Sequence, residues 1–129
     1  MERVQRRATK MIDQCQNLSY EKRLKAAGLI ALDKRRERGD LIQVFKLIKG
    51  FDKVDYKHFF QLSTDRRTRG HKLRLVKVRS RLEIRRNFFS QRVVNSWNEL
   101  PDIVVEAETV NSFKNRLDKH WSEIRKRIA

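Results

Sequence analysis

Apolar side chains recur along this chain at intervals of three and four residues, a spacing that predicts helices. Val4, Ala8, Met11, Ile12 and Cys15 trace one stripe, with Arg3, Arg6, Arg7 and Lys10 on the other faces, predicting a helix from Met1 to about Gln16. Because that stripe opens at residue 4 with no linker before it, the segment is expected to continue from a longer chain upstream. Ser19 stands where an N-cap is wanted for a second helix over 20–27, Glu21 suits its first turn, and Gly28 follows as a C-cap. A third helix is predicted from about Ala31 to Lys49. Its front half is charged (Lys34-Arg35-Arg36-Glu37-Arg38), its second half carries Leu41, Ile42, Val44, Phe45 and Ile48, and Gly50 ends it. Asp55 is placed to cap a short turn over 56–62 with Phe59 and Phe60 directed inward.

The period then changes. Leu73-Arg74-Leu75 and Leu82-Glu83-Ile84-Arg85 alternate with period two, which predicts two short strands joined near Arg79-Ser80. Val76 and Val78 have the opposite parity, implying a bulge or burial on both faces. Helical spacing returns with Phe89, Val93, Trp97 and Leu100, flanked by Phe88 and Val94, in a helix capped by Asn87 and stopped by Pro101. Thr109 caps a last helix with the stripe Val110, Phe113, Leu117, Trp121, Ile124 and Ile128. The expected fold is mainly α: a small single domain of about five to six helices over 1–129. A short basic β-hairpin is expected in 63–86, between the N-terminal helices of 1–62 and a C-terminal helix pair in 87–129.

Composition supports a folded chain. Leu, Ile, Val and Phe supply 37 of 129 residues, above the roughly 20% below which disorder is the better reading. Only four glycines and one proline interrupt the pattern, which favours long helices over a many-turned β fold. Charge changes the picture more. The formal net charge is +16, an excess that opposes compaction by self-repulsion unless a polyanion is at hand. Nucleic acid is the expected polyanion, ahead of an anionic membrane. The longest uncharged runs, Gln14–Tyr20 and Ala26–Leu32, are seven residues each, too short for a signal core or a membrane span. Cys15 is alone, so no internal disulfide forms, and a reducing, intracellular setting (nucleus or cytoplasm) is expected.

The charge is concentrated. Residues 66–86 hold ten Lys or Arg and one acid, Glu83, for a local net charge of +9. Surfaces without a polyanionic partner normally intersperse the two signs. Arg66, Arg67, Arg69, Lys72, Arg74, Lys77, Arg79, Arg81, Arg85 and Arg86 are the candidate nucleic-acid contacts, neutralising phosphates with Arg supplying a planar fork for two phosphate oxygens. Alternation puts Arg74 and its neighbours on an exposed face with Leu73, Leu75, Leu82 and Ile84 beneath, and Gly70-His71 in a flexible approach. Trp97 and Trp121 could stack on bases, but both lie on apolar stripes and are expected in the core. Chemistry has no foothold. The chain has no Gly-rich phosphate loop, no Gly-x-Ser-x-Gly elbow and no paired acidic motif for magnesium. His58, His71 and His120 lack metal-ligand spacing with each other or with Cys15. No cofactor, metal or small-molecule substrate is expected.

One stretch is similar to a known family. Arg86-Asn87-Phe88-Phe89-Ser90-Gln91-Arg92-Val93-Val94-Asn95-Ser96-Trp97-Asn98-Glu99-Leu100-Pro101 resembles a signature near the C-terminus of non-LTR retrotransposon reverse transcriptases, the jockey-like and chicken-repeat-like LINE elements in particular. Val4–Ile12, Leu18–Leu24, Arg36–Ile42, Thr68–His71 and Val110–Asp118 resemble the same region in the same order. The resemblance implies a tail that follows the polymerase thumb in a longer polyprotein, with Met1 an internal position or a secondary start. Its parent would nick target DNA and copy its RNA there. This chain lacks the Tyr/Phe-Ala-Asp-Asp palm motif, so no polymerase residue carries over and no catalysis is expected. The expected function is an accessory segment that holds template RNA or target and primer DNA beside the polymerase core. The alternative is a structural piece packed on the thumb through Val4, Ala8, Met11 and Cys15.

Overall fold

The computed structural model describes residues 2–65, 67, 70–79, 81, 82, 84 and 88–128. The chain is mainly helical and divides into two compact units, Met1–Gly39 and Asp40–Ala129. Its helices are α1 (Glu2–Lys10), α2 (Tyr20–Ala26), α3 (Leu32–Ile48), α4 (Phe89–Arg92), α5 (Val94–Asn98), α6 (Asp102–Val105) and α7 (Val110–Ile128), with 3-10 turns at Asp13–Cys15 and Tyr56–His58.

In the first unit the inward face of α1 is polar. Thr9 is buried, its hydroxyl donating to the carbonyls of Gln5 and Arg6 and accepting from Arg23 Nε at 3.2 Å. Arg23, also buried, donates to the Leu18 carbonyl at 2.7 Å. Gln5 Nε2 donates to Ile30 O, and the Glu2 carboxylate accepts from Leu32 N–H at 3.1 Å, capping one of the open donors at the start of α3. The predicted apolar stripe therefore faces outward. Val4 is 71% and Met11 79% exposed, and Cys15 is its buried member. The expected helix to Gln16 stops at Lys10, and a 3-10 turn follows at Asp13–Cys15; open backbone groups at Ile30 and Leu32 draw Gln5 and Glu2 inward.

The second unit holds the apolar core. Leu41, Val44, Phe45 and Leu47 of α3 meet Val94 and Trp97 of α5, Val104 and Val105 of α6, and Phe113 and Leu117 of α7. Phe113 stacks on Phe45 with ring centroids 4.4 Å apart and lies 6.1 Å from Trp97. Gly50 ends α3 at φ +76°, a left-handed turn that glycine adopts without strain. The Asp55 carboxylate accepts from Lys57 N–H as expected of a cap. Phe60 is buried at 5%, but Phe59 is 46% exposed, so the pair does not point inward together. The helix expected over 88–100 is two short ones. Its ladder loosens at Val93, where N–H to Phe89 O stretches to 3.4 Å, and both Val93 and the adjacent β-branched Val94 are buried. Pro101 ends one helix and precedes another, α6. Asp40 holds Arg92 by a two-pronged contact at 2.8 and 2.9 Å.

Among the described residues there is no β-hairpin. Leu75 forms an isolated antiparallel bridge with Leu62, made by Ser63 N–H to Arg74 O at 2.7 Å and Val76 N–H to Gln61 O at 2.8 Å. Among the described residues, the alternation in 73–75 reflects pairing with 61–63. Leu82 and Ile84, expected beneath the sheet, are 70% and 76% exposed. Ser80, Glu83, Arg85 and Asn87, the last expected as a cap, lie outside the described residues.

Candidate nucleic-acid interface

The strap 71–75 is fastened to the C-terminal end of α5 by three side chains. Trp97, fully buried, donates from Nε1 to Leu73 O at 2.8 Å. Asn98 accepts from Leu75 N–H at 2.8 Å and donates to Leu75 O at 2.9 Å. His71 is only 3% exposed, with Nε2 2.8 Å from Trp97 O and Nδ1 accepting from Leu73 N–H at 3.1 Å. Those two bonds select the neutral ring protonated at Nε2. Burial pushes the His71 pKa below its ordinary 6.5, against the Trp97 carbonyl and Asp102, which favour the charged form; Arg74 disfavours it. The segment expected to be a flexible approach is thus an anchor at His71.

Alternation of the backbone explains the arrangement. The N–H and C=O of Leu75 face Asn98, while Arg74 O and Val76 N–H face residues 61–63, so the strap is paired on both edges. Leu75 fills the core and Leu73 packs against it. Lys72, Lys77, Arg79 and Arg81 are exposed, and among the described residues none of these four has an acidic side chain at ion-pairing distance. Arg67 is also exposed, 3.9 Å from the Asp65 carboxylate. Arg74 is half-buried. It lies against Gly70, whose φ is +144°; a Cβ there would sit 2.8 Å from Arg74 Cδ and 3.1 Å from Nε. The positive φ favours glycine at this position, and a larger residue would push the Arg74 side chain aside. Of the ten candidate cations, Arg66, Arg69, Arg85 and Arg86 lie outside the described residues. The other six belong to the second unit.

Two clefts flank Arg74. One, of about 460 Å³, is lined by Ser63, Thr64, Asp65, His71 and Lys72 together with Gly70 and Arg74. The other, of about 540 Å³, lies between the same Gly70–Arg74 pair and the end of α5, with Asn95, Asn98, Glu99 and Pro101 on its far side. The first sets the Lys72 ammonium, the Arg74 guanidinium and two hydroxyls, all able to donate to phosphate oxygens, against one carboxylate, Asp65.

Periodicity placed Trp97 in the core but did not show its second task, and it missed Asn98 altogether. The available signal was a polar amide directly after a buried aromatic at a helix end, close to Pro101. Trp121 is half-buried against the core. Among the described residues no cluster of three or more His, Cys, Asp or Glu could hold a metal, and no helix is long and apolar enough to cross a membrane. No protein-family model, curated protein or solved structure matches the chain.

Proposed function

We propose that the chain binds nucleic acid through phosphate contacts made by its basic strap, serving as the accessory segment of a retrotransposon-type reverse transcriptase and holding template RNA or target and primer DNA. The observation that carries this reading is the fastening of the strap. Trp97, Asn98 and His71 fix its backbone on one edge and residues 61–63 pair on the other, with Lys72 exposed inside the held stretch and Lys77, Arg79 and Arg81 exposed just beyond it. A cation on a held backbone, as Lys72 is, loses less conformational freedom on binding than one on a loose loop. The mechanism is electrostatic. The cations neutralise phosphates and release the counterions bound there, and no covalent bond is made or broken. The family assignment rests on the resemblance of 86–101 and the other matching stretches. Reversing charge at Lys77, Arg79 and Arg81 tests the site: binding to duplex DNA should fall at least about tenfold with helical circular dichroism unchanged, and unchanged binding would move the site elsewhere.

One observation favours a second reading, docking on a polymerase core. Val4 and Ala8 of α1, and Met11 just after it, are exposed apolar side chains. That reading predicts self-association of the isolated chain, and a clean monomer at high concentration would count against it.

A further inference from the structure

The cleft between Arg74 and the end of α5 has a chemistry different from the rest of the basic surface. It sets one cation, Arg74, against the Glu99 carboxylate, where the neighbouring cleft sets two cations against Asp65, so it is the less suited of the two to the nucleic-acid backbone. Its groups suit a base edge instead. Asn95 and Glu99 are four residues apart on one helical turn, joined by Glu99 N–H to Asn95 O at 3.1 Å, and so share a face. An amide offers a donor and an acceptor, and a carboxylate offers two acceptor oxygens. The opposite wall is Arg74, laid against Gly70 with Cζ 3.6 Å from where a Cβ would stand. A guanidinium is planar, and a heterocycle can stack on it. The volume of about 540 Å³ is ample for one base, and the cleft adjoins the phosphate-suited cleft across Arg74.

We infer that this cleft receives one unpaired nucleobase, and that it selects guanine. Of the four bases, guanine alone presents two adjacent donors, N1–H and N2–H, matched to the two oxygens of the Glu99 carboxylate. Asn95 is left for the neighbouring O6. This inference deepens the phosphate-binding reading and rests on it.

The experiment uses the full chain and four labelled ten-nucleotide RNAs, uridine throughout except for G, A, C or U at the fifth position. The guanine-containing strand should bind at least about fivefold more tightly than the others, and Glu99→Gln should abolish that preference. Glu106→Gln, which removes the same charge at an exposed site not lining the cleft, should retain it. Equal affinity for all four strands with a steep salt dependence would overturn the inference alone, as would a preference that survives in Glu99→Gln. Failure to bind any of the four at low salt would overturn the phosphate reading and this inference together.

Discussion

The side-chain amide of Asn98 pairs with the backbone of Leu75 as a neighbouring strand would, accepting from its N–H at 2.8 Å and donating to its carbonyl at 2.9 Å. A single residue at a helix end thereby supplies the edge a second strand would otherwise provide. The basic strap is held by that pairing, by the Trp97–Leu73 bond, and by the two bonds of His71.

Asn98→Leu should be costly, since it leaves a partly buried backbone donor and acceptor of Leu75 without partners. A loss of about 2–4 kcal/mol is expected, read from urea unfolding. Stability within 0.5 kcal/mol of the parent (about the scatter of surface substitutions) would show that the pairing contributes nothing.

Trp97→Phe retains most of the apolar ring but removes the donor to Leu73 O. It should destabilise by about 2–3 kcal/mol, combining a lost hydrogen bond with a small cavity. Amide exchange at Leu75 and Val76 should quicken in this variant, and an unaltered exchange pattern would separate Trp97 from the strap.

His71 gives stability a pH dependence of definite sign. Its folded pKa lies below the ordinary 6.5 because burial disfavours the charged ring. As pH falls below 6.5 the unfolded chain takes up a proton that the folded chain refuses, so stability declines towards the folded pKa; above 6.5 the contribution is complete. Unfolding midpoints should therefore rise from pH 5.5 to pH 7.5. His71→Gln should flatten that rise, and an equal slope in the variant would assign it to other groups.

Thr9→Val preserves shape while removing the hydroxyl that accepts from Arg23 Nε. Loss of that acceptor for a buried guanidinium should cost about 1–3 kcal/mol, measured by thermal unfolding. No change would mean that the polar face of α1 does not hold the first unit together.

The parts of the fold that follow from periodicity are those where burial alone decides orientation. Phe113 and Leu117 of α7, Leu41 and Phe45 of α3, and Trp97 of α5 all lie in the core on the faces their spacing predicts. Periodicity misleads where hydrogen bonds decide. Val4 and Met11 point outward because Glu2, Gln5 and Thr9 satisfy backbone and side-chain groups of the first unit. The alternation at Leu73 and Leu75 is real, but one of its partners is a side-chain amide, which leaves no alternating pattern of its own. The cations were readable because their charge is local; the residues that hold them were not, because Trp97 looks like any core aromatic and Asn98 like any exposed helix residue.

The most direct measurement is a salt titration of the purified chain against labelled single-stranded RNA, duplex RNA and duplex DNA. If about five of the ten candidate cations of 66–86 engage duplex DNA, log affinity should fall with log salt at a slope of roughly −4 to −5. A slope near zero on all three ligands would contradict the electrostatic account of the strap.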